Sequence, residues 1–220
     1  MKSLLLKSAP FSVLSTREVE RLAVHAKEIP FKKGDIVFEE GEPAKAVWVI
    51  KSGWLKLAKK AFGKKSVTID LLTPREAICG ISVFDQLPYS ATAVAVTDCV
   101  VACLPSEEVL ALIRSNPAFD EKLLAICCHR IRHMAESCAM LYEPVEWRIA
   151  KALLRLQEIF GDVLPVTHRE LAGITGIRVE TTIRTMSKMK KQGWLDMKRG
   201  KVTLRQPGKI KTLLAESSAS

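Results

Sequence analysis

The chain has 220 residues, 48% of them hydrophobic, and a formal net charge of +10. This length and composition are typical of one large or two small globular domains with a buried core. The sequence contains no run of 18 uncharged apolar residues, and its three N-terminal leucines are too short an apolar run for a secretion signal, so we expect a cytoplasmic protein without a membrane span.

Cysteines are scattered through the sequence without a C-x-x-C pair. They are Cys79, Cys99, Cys103, Cys127, Cys128 and Cys138. In a basic chain without a secretion signal, we expect these thiols to be reduced and mostly buried. The usual spacings of zinc ligands and of thioredoxin-like centres are missing.

The positive charge is concentrated toward the C-terminus. Residues 144–220 carry 15 Lys and Arg against 7 Asp and Glu, whereas residues 1–143 carry 19 against 17. A nearly neutral first part joined to a basic last third indicates that the last third meets a polyanion. A basic surface that is simply solvated is the alternative explanation.

The segment from residue 29 to residue 105 has the pattern of short strands separated by turns. FKKGDIVFEEGE and AVWVIKSGWLKLAKK place Gly34, Gly41 and Gly53 at turns, and KSVTIDLL and ATAVAVTDCVVACLP are rich in Val, Ile and Thr. Many short strands with glycine turns predict a β-sandwich or jelly-roll barrel. We expect residues 1–116 to form this N-terminal domain.

Helical segments follow the predicted strands. We expect Ser106 to cap a helix whose first turn is acidic. A run without Gly or Pro then predicts a long helix over residues 117–143. Its apolar side chains recur with heptad spacing and form a stripe of Leu124, Cys127, Ile131, Met134, Cys138 and Leu141. The stripe predicts self-association, and packing of the helix against its own domain is the alternative.

The last third, residues 144–220, is predicted to be a separate domain. Pro144 is suited to the start of a helix, which Gly161 ends. Near the C-terminal end of the chain, GWLDMKRGKVTL has the pattern of a hairpin that turns at Arg199 and Gly200.

Between these two features lie a pair of short helices. Thr167 and Glu170 have the spacing of a capping box at the start of the first helix. Gly176 breaks that helix, because glycine tolerates a positive φ. The second helix places Thr182 or Ile183 on its inner face, with Met186 and Met189. Two short helices joined by a tight glycine turn form a helix-turn-helix, and the following hairpin is the wing.

The second helix carries charges suited to DNA. In a helix-turn-helix this helix lies in the major groove and offers its N-terminal residues to base edges. Glu180 and Arg184 are four residues apart and share a face. Arg binds guanine bidentately, and Glu accepts from the amino group of cytosine. The alternative is a surface ion pair of Glu180 with Arg184, worth about 0.2–0.5 kcal/mol.

A wider set of residues is predicted to contact DNA. Thr181 is placed to reach a phosphate or a thymine methyl, and the lysines and arginines around the helix and wing are expected on phosphates. The predicted DNA-binding residues are Thr167, Arg169, Arg178, Val179, Glu180, Thr181, Ile183, Arg184, Lys188, Arg199 and Lys201, with Lys190, Lys191 and Lys198 in the same basic fringe.

The order of β-barrel, long helix and winged helix-turn-helix resembles the CRP/FNR family of bacterial transcription regulators. The resemblance covers nearly the whole chain and is carried by FKKGDIVFEEGEPAKAVWVIKSGWLKL, PYSATAVA and ELAGITGIRVETTIR. It implies an α+β fold with an N-terminal jelly-roll of the cyclic-nucleotide-binding kind, a dimerisation helix and a C-terminal winged helix-turn-helix. The recognition helix resembles the FNR-like branch, where Val-Glu-Thr precedes an Arg.

The same resemblance implies how such a protein acts. It implies a homodimer on a pseudo-palindromic site in double-stranded DNA, with RNA polymerase as a further partner. It also implies that an effector sensed in the barrel controls DNA affinity, although the sequence does not identify that effector.

The effector region departs from the cyclic-AMP branch of the family. That branch uses a Gly-Glu pair on the ribose and an Arg-Ser pair on the phosphate, but here Ile81 replaces the Glu and Tyr89 replaces the Arg. Loss of the Arg removes a strong charge-assisted contact, so we do not expect cyclic AMP in the usual mode. The candidate pocket, suited to an apolar or aromatic ligand, consists of Gly80, Ile81, Ser82, Val83, Tyr89, Ser90, Ala91 and Met134.

Other signals remain alternatives. No cysteine precedes Cys79, so we do not expect the iron–sulfur cluster of the oxygen-sensing branch. His129 and His133 are weak candidates for haem ligands. Cys127 or Cys138 would serve thiol redox chemistry across a dimer axis. A constitutive DNA-binding dimer with a vestigial pocket is a further alternative.

An enzyme of the cupin kind is a further alternative, because cupins share the jelly-roll core. Such an enzyme requires metal-binding histidines on the barrel strands, and residues 29–105 contain none. We therefore expect no enzyme activity.

Overall fold

The computed structural model describes residues 1–61, 66–78 and 80–215. The chain forms two compact units, Met1–Met134 and Ala135–Ser220. Among the residues described, none of the helices combines the length and the apolar character needed to span a lipid bilayer.

The first unit combines helices with the predicted strands. Its helices are α1 (Lys2–Leu5), α2 (Thr16–His25), α3 (Gly80–Phe84), α4 (Ser106–Ser115) and most of α5 (Pro117–Met140). Its strands are β1 (Lys27–Phe31), β2 (Ile36–Phe38), β3 (Ala46–Ser52), β4 (Leu55–Lys60), β5 (Ser66–Leu72), β6 (Ala77–Ile78), β7 (Thr92–Ala95) and β8 (Cys99–Pro105).

The strands form two antiparallel sheets, which confirms the predicted jelly-roll. One sheet has the order β1-β8-β3-β6 and the other β2-β7-β4-β5. The turn at Gly53 carries the chain from β3 in one sheet to β4 in the other. Gly53 has φ 79°, and a Cβ there would overlap the backbone of Asp98 and Cys99, so only glycine fits.

Strand β3 separates two hydrophobic cores because its side chains alternate between the two faces of the sheet. Val47 and Val49 pack with the helices on the outer face, in a core that includes Phe11, Leu112 and Phe119. The opposite face of the strand points into the barrel, where a second core lies. The β3 residues of that second core are Ala46, Trp48 and Ile50.

Aromatic side chains fill part of the barrel interior. The rings of Phe38 and Tyr89 have centroids 4.2 Å apart, and those of Phe38 and Trp48 lie 6.2 Å apart. The Tyr89 hydroxyl donates to the Ala46 carbonyl at 3.0 Å and accepts from the Trp48 indole N–H at 3.1 Å and the Ala46 amide at 3.2 Å. The polar end of Tyr89 is therefore satisfied inside the protein.

The second unit has the predicted winged arrangement. Its elements are α6 (Val145–Phe160), β9 (Val163–Leu164), α7 (His168–Thr175), α8 (Val179–Lys191), β10 (Leu195–Lys198), β11 (Lys201–Leu204) and α9 (Pro207–Ala215). The strands form one antiparallel sheet in the order β10-β11-β9. The β10–β11 hairpin turns at Arg199 and Gly200 as predicted, with Lys198 paired to Lys201.

Some local expectations need correction. Ser106 is the first residue of α4 and not its cap, because Pro105 occupies the N-cap position and no side chain caps the helix. Glu107 and Glu108 do lie in the first turn, as predicted. Helices α1, α2, α3 and α9 were not predicted.

The cysteines are less buried than the sequence suggested. All five in the described part of the chain are free thiols, as expected, but only Cys99 is fully buried and Cys138 is exposed. Cys103, Cys127 and Cys128 are half-buried. Cys79 lies outside the described residues.

We predict that Tyr89→Phe lowers the free energy of unfolding by about 1–3 kcal/mol, because the indole N–H of Trp48 and the amide of Ala46 lose a buried acceptor. Urea denaturation followed by intrinsic fluorescence measures the change. Tyr142→Phe is the matched control, since Tyr142 is 94% exposed. Equal unfolding curves for both variants would contradict this role of the hydroxyl.

Candidate nucleic-acid interface

The first helix of the helix-turn-helix, α7, is fixed at its start by a capping box. The Thr167 hydroxyl accepts from the Glu170 amide at 3.2 Å, and the Glu170 carboxylate accepts from the Thr167 amide at 2.7 Å. This confirms the predicted capping pair. Leu171 and Ala172 are buried on the inner side of the helix.

A short turn leads from α7 to α8. Gly176 takes the left-handed conformation, with φ 64° and ψ 26°, and the Ile177 amide donates to the Ala172 carbonyl at 3.1 Å. Helix α8 begins at Val179, with Arg178 at its N-cap. The tight glycine turn predicted from the sequence is therefore present.

The inner face of α8 holds the helix in the unit. Thr182, Met186 and Met189 are buried there. The sequence left open whether Thr182 or Ile183 faces inward, and the structure selects Thr182, since Ile183 is 43% exposed. The Thr182 hydroxyl is satisfied by the Arg178 carbonyl at 3.1 Å.

The outer face of α8 presents the two predicted base readers. Glu180 and Arg184 are both exposed, and Thr181 and Val179 are half-buried beside them. No ion pair joins Glu180 to Arg184, although the structure describes both residues. The surface ion pair that was the alternative explanation is therefore not formed, and both charged groups remain available to an external ligand.

The cations around α8 fall into two groups. Lys188 lies 2.6 Å from Glu146 of α6, and Lys190 lies 3.1 Å from Asp196 of β10, so these two are ion-paired within the protein. The others have no carboxylate partner within the described part of the chain and are exposed. They are Arg169, Arg178, Arg184, Lys191, Lys198, Arg199 and Lys201.

The ion pair of Lys188 belongs to a connection between α6 and the helix-turn-helix that the sequence did not reveal. Glu146 and Arg148, both in the first turn of α6, contact the helix-turn-helix through side chains. Their separation of more than 25 residues from their partners leaves no local spacing that would indicate the contact.

Each of the two units contains a segment that matches a known domain family. The cyclic nucleotide-binding domain family matches residues 28–116, and the Crp-like helix-turn-helix domain family matches residues 148–213. The Cyclic AMP receptor protein of Thermus thermophilus is 30% identical over 204 residues, which cover 91% of this chain and 94% of that protein.

The chain belongs to the CRP/FNR family of transcription regulators.

Two further relatives agree with this assignment. The CRP-like cAMP-activated global transcriptional regulator of Mycobacterium tuberculosis is 26% identical over 204 residues, covering 89% of this chain and 91% of that protein. The structure of FixK2 from Bradyrhizobium japonicum superposes with a TM-score of 0.76 at 19% identity, covering 86% of this chain and 96% of that chain, which shows the shared fold.

The chain is thus a DNA-binding regulator of CRP/FNR type with an effector-binding domain. Regulators of this family bind DNA and act as dimers. The nearer likeness to the FNR-like branch stays a prediction.

The structure of the regulator divides the predicted effector pocket. Val83 packs in the outer core, whereas Tyr89 packs in the barrel interior. Ile81, Ser90 and Met134 are exposed. Gly80 begins α3, and Ser82 and Ala91 are buried. The alternation of β3 between two cores explains the division, because a residue contacting one face of that sheet does not reach the other.

A cleft of about 410 Å³, including the part open to solvent, lies on the outer side of the first unit. It contains Ile81 of the predicted set, but neither Tyr89 nor Met134 lines it. The other lining residues are Pro10, Phe11, Val47, Ala77, Val109, Phe119, Leu123, Ile126, Cys127 and Arg130. The Arg130 guanidinium donates to the Ala77 carbonyl at 3.0 Å and gives the apolar cleft one cationic group.

The predicted stripe along α5 lies largely on the surface. Leu124, Ile131, Met134 and Leu141 are each more than half exposed, and Cys138 is exposed too. Cys127 is the exception, since it is half-buried and lines the cleft. A row of exposed apolar side chains on one helix is typical of a surface that meets a partner.

The two histidines named as weak haem-ligand candidates lie on α5 and do not line the apolar cleft. His129 is exposed. Within the described residues, no cluster of three or more His, Cys, Asp or Glu is placed to hold a metal ion. Haem ligation by His129 or His133 stays a prediction.

We predict that Arg184→Ala costs about 1–3 kcal/mol of binding to the preferred DNA sequence and relaxes the preference at one base pair, because a base-reading side chain is lost. Fluorescence anisotropy with the preferred duplex and single-base variants of it measures both effects. An equal loss on every duplex would show that Arg184 meets only phosphates.

We predict that Lys201→Ala weakens binding to all duplexes about equally, because the wing lysine meets a phosphate. The slope of log affinity against log salt should become shallower by roughly one unit. The same titrations at several salt concentrations measure the slope. A loss confined to the preferred sequence would contradict the assignment of the hairpin as a phosphate-contacting wing.

Proposed function

We propose that the regulator binds a pseudo-palindromic DNA site as a homodimer, with Glu180 and Arg184 of each protomer contacting bases. The observation that carries this proposal is the outer face of α8, where both side chains are exposed and unpaired while the inner face is buried. Two copies of α8 related by a two-fold axis match the two halves of an inverted repeat in DNA.

The exposed stripe of α5 supplies the dimer contact in this proposal. Leu124, Ile131 and Leu141 recur with heptad spacing and are more than half exposed in the single chain. Burial of such side chains against a second copy stabilises association, because apolar surface is removed from water. In the dimer, each α8 reads one half-site.

The proposed signal is not cyclic AMP bound in the usual mode. Tyr89 stands where the cyclic-AMP branch has a phosphate-binding Arg, and its hydroxyl is already bonded to Ala46 and Trp48. Ile81, in place of the ribose-binding Glu, is 49% exposed and has no polar atom to offer. A nucleotide in this position would find no cation for its phosphate from either residue.

A constitutive DNA-binding dimer is the second candidate. The aromatic contacts of Phe38, Trp48 and Tyr89 inside the barrel favour it, because they occupy part of the interior of the sensor domain. In that case the barrel serves only to support the dimerisation helix.

A thiol signal would act through Cys138 in preference to Cys127. Cys138 is exposed on the stripe, whereas burial raises the pKa of the Cys127 thiol and disfavours the reactive thiolate. We further propose that the regulator acts in the cytoplasm and that RNA polymerase is its partner at the promoter, as the family resemblance implies.

Selection of duplexes from a random-sequence pool by the purified full-length protein tests this proposal. We expect the recovered duplexes to share two inverted half-sites, and sedimentation to show a dimer that Ile131→Glu dissociates. If the recovered duplexes share no common sequence under either reducing or oxidising conditions, the proposal is wrong.

Titrations on the recovered duplex then separate the two candidates. The DNA affinity is measured with cyclic AMP, after diamide oxidation and after dithiothreitol reduction. If the protein is regulated, one of these treatments changes the DNA affinity, and we expect cyclic AMP to have no effect. Equal affinity in all arms favours the constitutive dimer. A Cys138→Ser variant that abolishes an effect of diamide assigns the thiol signal to that residue.

A further inference from the structure

Arg148, in the first turn of α6, links two separate points of the second unit. One terminal nitrogen, Nη1, donates to the carbonyl of Leu141 at 3.3 Å, and the other, Nη2, donates to the carbonyl of Thr175. Leu141 directly follows the end of α5, and Thr175 is the last residue of α7. A single guanidinium therefore joins the C-terminal ends of two helices.

These bonds suit the chemistry at the ends of helices. The last carbonyls of a helix lack partners within the helix and carry partial negative charge. A planar guanidinium with several donors can satisfy two such carbonyls at once, which the single ammonium of lysine does less well. The Nε–H of Arg148 is buried and finds no partner within the described residues. The group is therefore held in this place despite an unsatisfied donor.

The turn of the helix-turn-helix packs against the same side chains. A Cβ built on Gly176 would lie 3.0 Å from Nη2 of Arg148 and 3.2 Å from Cδ2 of Leu141. Helix α8 begins at Val179, only a few residues beyond this contact. The direction in which α8 leaves the turn thus depends on backbone that Arg148 holds.

The same turn of α6 reaches the other end of α8. The Glu146 carboxylate accepts from the Lys188 ammonium at 2.6 Å, and Lys188 lies in the last turn of α8. This exposed pair contributes little free energy by itself. Together with Arg148 it places contacts from one helical turn near both ends of the recognition helix.

We propose that Arg148 is a positioning residue for DNA recognition, which fixes the turn before α8 to the segment after α5 without contacting DNA. The inference rests on the proposed function of α8 as the base-reading helix. A substitution of Arg148 should therefore lower the affinity for the preferred duplex relative to a scrambled duplex. The number of phosphate contacts should stay the same.

The test uses the full-length protein and the duplex recovered by selection, with a scrambled duplex as reference. For Arg148→Gln we expect the ratio of the two affinities to fall roughly tenfold, because charge-assisted bonds to two carbonyls are lost. Arg148→Lys should retain part of the ratio, since the ammonium keeps the positive charge but its single nitrogen does not take the positions of both terminal nitrogens of arginine. The slope of log affinity against log salt should equal that of the unaltered protein.

Hydrogen exchange separates positioning from general destabilisation. In Arg148→Gln, amides of residues 176–182 should exchange faster, while those of the β9–β11 sheet keep their protection. Arg114→Gln, which removes an exposed positive charge from the first unit, is the matched control and should change neither readout.

The outcomes are distinguishable from failure of the proposed function. If the unaltered protein selects a sequence and Arg148→Gln binds it with full selectivity, the positioning role is wrong. A salt slope that is shallower by about one unit would make Arg148 a phosphate contact and also overturn the proposal. If the unaltered protein selects no sequence, the proposed function itself fails.

Discussion

Burial of one face of α8 is the constraint on which the proposed DNA recognition by this regulator depends. Thr182, Met186 and Met189 are fixed in the core of the second unit, so the helical repeat leaves Glu180 and Arg184 on the outside. The capping box of α7 and the left-handed Gly176 set where α8 begins. An ion pair between an exposed acid and an exposed base one turn apart would contribute little free energy, and in this structure Glu180 and Arg184 do not form one. Their availability follows from the packing beneath them.

In the first unit, the side chains of β3 alternate between the two faces of the sheet, and this alternation determines which residues can lie together. Val47 and Val49 belong to the core under the helices, while Trp48 lies in the barrel interior. Residues close together in the sequence, such as Val83 and Tyr89, are consequently assigned to different cores. A ligand site inferred from a continuous segment is divided by this geometry, although the segment itself matches the effector region of the family.

The sequence predicted best those features that local chemistry determines. The capping pair of Thr167 and Glu170, the glycine turn and the hairpin at Arg199 all depend on residues within a few positions of one another. The contacts of Arg148 with Thr175 and of Glu146 with Lys188 were not predictable, because they join residues distant in the chain and depend on tertiary packing. The core in which Tyr89 packs was not predictable for a similar reason, since the two-sheet arrangement decides which face of the sheet its side chain meets. The other stripe residues lie on the exposed side of α5, whereas Cys127 is half-buried and lines the cleft, a difference that the heptad spacing alone does not predict.

The packing of the barrel bears on where a signal can act. A ligand shifts a conformational equilibrium only by binding one arrangement better than another. Access to the barrel interior at Tyr89 would break the bonds of its hydroxyl to Ala46 and Trp48, and such a ligand would have to replace them. The outer cleft is lined by Ile81, which is already exposed, and by Arg130, whose guanidinium joins α5 to the carbonyl of Ala77. A molecule bound there would touch the long helix directly, because Leu123, Ile126 and Cys127 of α5 line the same cleft, whereas a molecule inside the barrel would first have to displace the hydrogen bonds of Tyr89.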